Sequence, residues 1–202
     1  MQITPSEIAF DFDGVIADTF RLFVSLAKSR YNVEINYEDI TDYEFLNVID
    51  MDREHAFELI DILTNYPHEL DLMPNRGAVD VLTRMASMSP LLCVTARPFA
   101  KPIEQWFEKH LPRLLPECIQ VAATGISSKK LDILSGTRVR YFIDDRLDTC
   151  VMLADAGITP ILYTQPWNRR PHSFHEVGSW EEIASLIDWN SSSADTRTCL
   201  KP

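Results

Sequence analysis

The apolar run Ile8-Ala9-Phe10 stops abruptly at Asp11-Phe12-Asp13-Gly14. A short apolar run of this kind reads as a buried strand, and its sudden end in acids and a glycine puts Asp11 and Asp13 at the strand's C-terminal edge, where open α/β sheets hold ligands. Residues two apart on a strand share a face. Two carboxylates so placed repel each other unless a cation lies between them or one takes a proton. A metal site and a solvated acidic turn both fit this stretch alone; residues further along the chain decide between them.

The same pattern recurs. Leu91-Leu92-Cys93-Val94 runs into Thr95-Ala96-Arg97-Pro98, Cys118 to Ala122 reads as a third strand, and Val139 to Ile143 delivers Asp144-Asp145 at a fourth strand end. A fifth strand, Pro160 to Tyr163, precedes Gln165-Pro166-Trp167-Asn168. Between these runs, helical spacing of apolar residues predicts helices over 17–31, 78–88, around Ile103 to His110, 131–134, 147–156 and 181–187, the last capped by Ser179. Strand and helix therefore alternate, which predicts an α/β fold with a doubly wound, parallel, Rossmann-like sheet and right-handed crossovers.

Residues from about Asn32 to Met73 hold a further helical pattern after Asp52 (Phe57, Ile60, Leu63) and no strand pattern. Directly after the first strand, such a segment sits above the C-terminal edge as a small helical cap; an ordinary helical crossover is the other reading. The expected organisation is a core of residues 1–16 and 74–190, a cap of 17–73 and a flexible tail of 191–202. The aromatic residues of the cap are expected to form its own small core.

With 202 residues and 46% hydrophobic content the chain is long enough for one sizeable core. Its net charge of -11 argues against a nucleic-acid polymer or an anionic membrane as partner. No basic, apolar leader stands at the N-terminus and no apolar stretch reaches membrane-spanning length, so a cytoplasmic protein is expected. Cys93, Cys118, Cys150 and Cys199 lie far apart without a C-x-x-C pair, so buried reduced thiols are expected rather than disulfides or zinc. Monomer and homodimer are equally open.

Four carboxylates converging on one edge call for a hard cation with oxygen ligands, and Mg²⁺ suits a site that keeps positions for water and phosphate. Thr95 offers a hydroxyl and Lys130 a point charge, a set matched to a phosphoryl group, whose transfer is promoted by positioning and charge neutralisation. One carboxylate can attack phosphorus while a second protonates the leaving oxygen.

Phe10-Asp11-Phe12-Asp13-Gly14-Val15, Val94-Thr95-Ala96-Arg97, Lys130 at its helix start and Ile143-Asp144-Asp145 resemble, in order and spacing, the four motifs of the haloacid dehalogenase-like superfamily. Leu72 to Ala78, Asp144 to Asp148 and Gln165 to Asn168 resemble the 5'-nucleotidase/deoxyribonucleotidase group within it. In that group's animal members serine and proline follow the threonine, where this chain has Ala96 and Arg97. The resemblance implies a Mg²⁺-dependent phosphomonoester hydrolase acting through an aspartyl-phosphate on a small phosphorylated metabolite, with a (deoxy)nucleoside monophosphate among the candidates. It implies Asp11 as nucleophile and metal ligand, and Asp13 as general acid/base that also meets the metal through its main-chain carbonyl. Asp145 is implied as a direct metal ligand, and Asp144 as one acting directly or through water. Thr95, Ala96, Arg97 and Lys130 are implied to hold the phosphoryl, with Thr95 and Lys130 counted in the catalytic set. Lys129 is the alternative lysine, disfavoured because placing Lys130 at the site turns Ile133 and Leu134 to the core. Arg97 either touches phosphate or pairs with a surface acid. Trp167 and Asn168 either line the site or finish a strand. A phosphomutase, and a catalytically silent phospho-ligand-binding protein, are the competing readings.

Overall fold

The computed structural model describes residues 2–191 together with Cys199 and Lys201. Six parallel strands form one sheet in the order β3-β2-β1-β4-β5-β6. They are β1 (Ile8–Phe10), β2 (Leu91–Thr95), β3 (Ile119–Ala123), β4 (Tyr141–Asp144), β5 (Thr159–Tyr163) and β6 (His175–Val177). β1 is central, so the polar residues that follow it lie between the ends of β2 and β4.

Strand alternation divides the apolar residues between the two faces. Ile8 and Phe10 belong to a large cluster with Leu82 and Met85 of α3 (Ala78–Ala86), Ile103 and Trp106 of α4 (Lys101–His110), and Trp180 and Ile183 of α7 (Trp180–Leu186). Ala9 belongs to the opposite cluster, with Leu134 of α5 (Lys130–Ser135) and Leu153 of α6 (Leu147–Asp155). Helices thus cover both faces, which makes the fold an α/β doubly wound sheet. β6 has no counterpart in the sequence reading, because its His175 and Glu176 are exposed and leave Val177 as the one buried residue.

Between β1 and α3 the described chain has helices and loops but no strand. In α1 (Thr19–Tyr31), Phe20, Phe23 and Ala27 fall on one buried face, and the helix stops at Asn32, whose left-handed conformation turns its N–H back to the carbonyls of Ala27 and Lys28. α2 (Arg53–Asn65) starts at Asp52, whose carboxylate accepts from the backbone N–H groups of Glu54 and His55 at 2.9 and 3.2 Å. Phe23 and Ala27 pack on Ala56, Leu59 and Leu63, giving the two helices an apolar cluster of their own. Phe20, Ile40 and Trp167 form a second cluster that joins this segment to the loop after β5. Phe57, expected on the buried face, is 55% exposed.

The helical segment leaves and rejoins the sheet at one place. Ala17 and Pro74 form an antiparallel bridge, flanked by hydrogen bonds from Asp18 N to Met73 O (2.9 Å) and from Asn75 N to Ile16 O (2.8 Å).

The cysteine expectation needs correcting. Cys118 and Cys199, separated by 81 residues, form a disulfide, while Cys93 and Cys150 are free and buried. Spacing along the chain could not show this, since the fold supplies the proximity. Leu115 N donates to Cys199 O and Lys201 N to Arg113 O, so those two residues of the expected flexible tail are held against the loop before β3. Residues 192–198, 200 and 202 lie outside the described residues. Among the described residues no helix is long and apolar enough to cross a membrane.

Candidate active site

Register brings the carboxylates together. Phe10 pairs with Ile143, so the next residue on each strand, Asp11 and Asp144, stand side by side past the paired ends of β1 and β4. Asp145 follows, and ligand oxygens of Asp11, Asp144 and Asp145 all lie within 4.8 Å of one another. All three residues are buried, at 4%, 0% and 1% exposure. Lys130, from the first turn of α5, lies among them with no exposed surface, its Nζ 2.7 Å from both Asp11 Oδ2 and Asp144 Oδ2. Lys129 is exposed. Leu134 faces the core as expected, whereas Ile133 is 38% exposed: Leu131 and Leu134 are the apolar residues of this helix that pack on the sheet.

One ammonium cannot neutralise three carboxylates. Burial, opposed by Lys130 and reinforced by Asp144 and Asp13, pushes the Asp11 carboxyl up to about 7. Burial, with Asp144 and Asp11 next, raises Asp145 well above the usual carboxylate range. For Lys130 the attraction of Asp11 and Asp144 outweighs the cost of burial and holds the ammonium charged. Asp145 Oδ2 accepts from Trp167 Nε1 at 3.1 Å, yet its buried Oδ1 has no partner. An orphaned carboxylate oxygen beside two more carboxylates is the donor set a hard divalent cation takes.

Asp13 stands apart from that trio. Its carboxylate accepts from Arg97 Nε (2.9 Å), Arg97 Nη2 (2.7 Å) and the Thr19 hydroxyl. Burial alone would raise it, but the Arg97 charge and these hydrogen bonds outweigh burial and lower it. Arg97 Nη1 reaches the carbonyls of Leu63 and Thr64 at the end of α2. Thr95 is fully buried at the end of β2, its hydroxyl accepting from Arg97 N at 3.2 Å.

A cavity of about 240 Å³ opens between the sheet edge and the helical segment. Asp13, Thr19 and Arg97 form its polar side, and Phe20, Tyr43 and Phe45 its aromatic side. Tyr66, another aromatic of this segment, is 48% exposed and is not part of its lining.

A family model described as "5' nucleotidase, deoxy (Pyrimidine), cytosolic type C protein" matches residues 5–192. The chain belongs to this nucleotidase family. Its relatives include a nucleotidase of Clostridium acetobutylicum, 21% identical over 185 residues, with 90% of this chain and 93% of that protein covered. The fold is shared with a HAD-superfamily hydrolase of Geobacter sulfurreducens (TM-score 0.58, 16% identity, 89% of this chain and 97% of the other covered). It is also shared with CbbY of Rhodobacter sphaeroides, solved in complex with phosphate (TM-score 0.56, 16% identity, 90% and 98% covered). As a member of this family the protein is an enzyme, a phosphoric monoester hydrolase.

In this enzyme two further residues support the site. Gln165, just after β5, donates from Nε2 to Gly14 O (2.7 Å) and accepts from Tyr37 OH (2.8 Å). Asn168 donates from Nδ2 to Asp145 O (2.8 Å), so the loop after β5 braces the acidic trio. Both stand at the same sheet edge as the motif residues, which is the signal that points to Gln165. Thr19, which opens α1, carries no comparable signal.

Proposed function

We propose that this enzyme is a Mg²⁺-dependent phosphomonoesterase that transfers the phosphoryl of a small metabolite to Asp11 and then to water, with nucleoside monophosphates as the preferred substrates. The cavity beside Asp13 is the observation that carries this reading. Its volume, about 240 Å³, falls just under the roughly 300–1,000 Å³ of sites for drug-sized ligands. That admits a nucleoside-sized leaving group, whose base would meet Phe20, Tyr43 and Phe45 while its 5'-oxygen faces Asp13.

Asp11, Asp144 and Asp145 would hold the metal, which would supply positive charge against the phosphate and against the mutual repulsion of the trio. Lys130 would supply a second positive charge, and Thr95 would orient a phosphoryl oxygen through its hydroxyl. An oxygen of Asp11 attacks phosphorus, the bond from phosphorus to the ester oxygen breaks, and Asp13 gives that oxygen a proton. Water then attacks the phosphorus of the aspartyl-phosphate, losing a proton to Asp13, and phosphate leaves with Asp11 regenerated. The helical segment acts as a cap that encloses the leaving group. A cytoplasmic location belongs to the same reading.

The test is phosphate release from nucleoside monophosphates, sugar phosphates and other small esters, with Mg²⁺ and with chelator. Release that needs Mg²⁺, is fastest with nucleotides and falls by at least about 10³-fold in Asp11→Asn supports the proposal. No release from any ester with Mg²⁺ present, or undiminished release by Asp11→Asn, overturns it.

A further inference from the structure

Arg97 joins two parts of the chain with one rigid group. Its Nε and Nη2 take both oxygens of Asp13 in a fork, at 2.9 and 2.7 Å, while Nη1 donates to the carbonyls of Leu63 and Thr64. A guanidinium has five N–H donors in fixed geometry, and four are committed here. The side chain is 7% exposed and its guanidinium carbon lies 5.1 Å from the centre of the Phe12 ring, so it has little freedom to turn elsewhere. The carbonyls it takes belong to the last turn of α2, where backbone acceptors lack partners within the helix and the helix dipole favours a cation.

We infer that Arg97 is a positioning residue that couples the place of the cap to the orientation of Asp13. This rests on reading Asp13 as the proton donor and the helical segment as a cap. With the end of α2 seated on Nη1, the planar group cannot rotate without giving up bonds on both sides, so the Asp13 carboxylate stays turned to the cavity. When α2 moves away, the guanidinium loses two acceptors and Asp13 loses its fixed orientation. Asp13 is thereby held in a single orientation only while the cap is closed. With its donors so committed, Arg97 serves the phosphoryl group only indirectly. A lysine cannot substitute, because a single ammonium lacks the fork that holds both carboxylate oxygens and reaches the helix as well.

Arg97→Gln and Arg97→Lys test this with two readouts. Backbone hydrogen exchange over residues 53–65 requires no turnover; it should quicken by about 10-fold in Arg97→Gln, while residues 147–155 keep their wild-type rates. Kinetics are then compared between a nucleoside monophosphate, whose leaving oxygen needs a proton, and p-nitrophenyl phosphate, whose leaving group does not. Both variants should lose about 100-fold in kcat on the nucleotide. Release of p-nitrophenol in a single turnover should fall only a few-fold, and KM and the inhibition constant of inorganic phosphate should stay within about two-fold of wild type. If Arg97→Gln does not fold, Arg97→Lys carries the kinetic comparison. Three results overturn the inference: unchanged exchange of α2, equal loss on both esters, or a joint rise of KM and phosphate inhibition constant with kcat kept. Full recovery by Arg97→Lys does so too. Should wild type release no phosphate from either ester, the hydrolase reading falls and the exchange result alone decides for or against the coupling.

Discussion

Gly14 sits where a side chain has no room. Its φ is +71°, and a Cβ there would collide with the Asp145 carboxylate, 2.8 Å from Cγ. Gly14→Ala should therefore cost about 1–3 kcal/mol in backbone strain and push Asp145 away from its partners. Thermal unfolding and a Mg²⁺ titration check this; wild-type Tm and affinity would refute it. Asp11 gives a second prediction. In the metal-free protein its folded-state carboxyl holds a proton up to about 7, while the unfolded chain releases it near 3.8. The fold thus binds the extra proton, so this contribution is complete at low pH and is lost as pH rises through about 7. With chelator present, Tm should fall by several degrees between pH 5 and pH 8, since about 1 kcal/mol moves a chain of this size by roughly 2–4 °C. Mg²⁺ should raise Tm more at pH 8, where it no longer competes with that proton. At this scale Asp11, Thr95, Lys130 and Asp144-Asp145 were legible because each ends a strand or opens a helix beside one. The engagement of Arg97 with Asp13 was not legible, because an arginine's reach selects partners that the sheet order alone does not fix.

Elements were legible wherever periodicity was long. The helical pattern from Phe20 to Ala27 predicted α1 and the Asp52 signal predicted α2, but the residues of α2 that touch α1 depend on how the two helices cross, which is why Phe57 faces solvent. β6 escaped because an edge strand with two exposed residues has no apolar run to read. Asp52 is the N-cap of the helix whose far end meets Arg97. Asp52→Ala should destabilise α2 by about 1 kcal/mol, measured as faster exchange of its amides and a lower kcat on nucleotides, with Mg²⁺ affinity unchanged. The aromatic wall makes a separate prediction. Tyr43→Ala and Phe45→Ala should each raise KM for nucleotides and reorder the substrate ranking, whereas Tyr66→Ala, on exposed surface away from the cavity lining, should do neither. Steady-state kinetics over several esters decide; an unchanged ranking in the first two variants would remove the cavity's role in selection.

On the scale of the molecule, the alternation of strand and helix announced the doubly wound sheet, while the C-terminal closure was hidden in Cys199. The disulfide to Cys118 spans 81 residues, and constraining so long a loop in the unfolded chain is worth about 2–4 kcal/mol. Cys199→Ser, or reduction of the wild type, should lower Tm accordingly in calorimetry and leave phosphate release at low temperature unchanged, since the bond lies by the loop before β3 and not at the acidic edge. The bridge between Ala17 and Pro74 has a different kind of consequence. To the sheet, everything between those two residues is a loop with its neck already tied, and loop-closure entropy grows by only about 0.6 kcal/mol for each doubling of length. Strand pairing is therefore nearly indifferent to what hangs from the neck. A chain in which a longer, shorter or unrelated helical insert joins Ala17 to Pro74 should assemble the same six strands in the same order, leaving evolution, or an engineer, free to exchange the inserted part without refolding the rest.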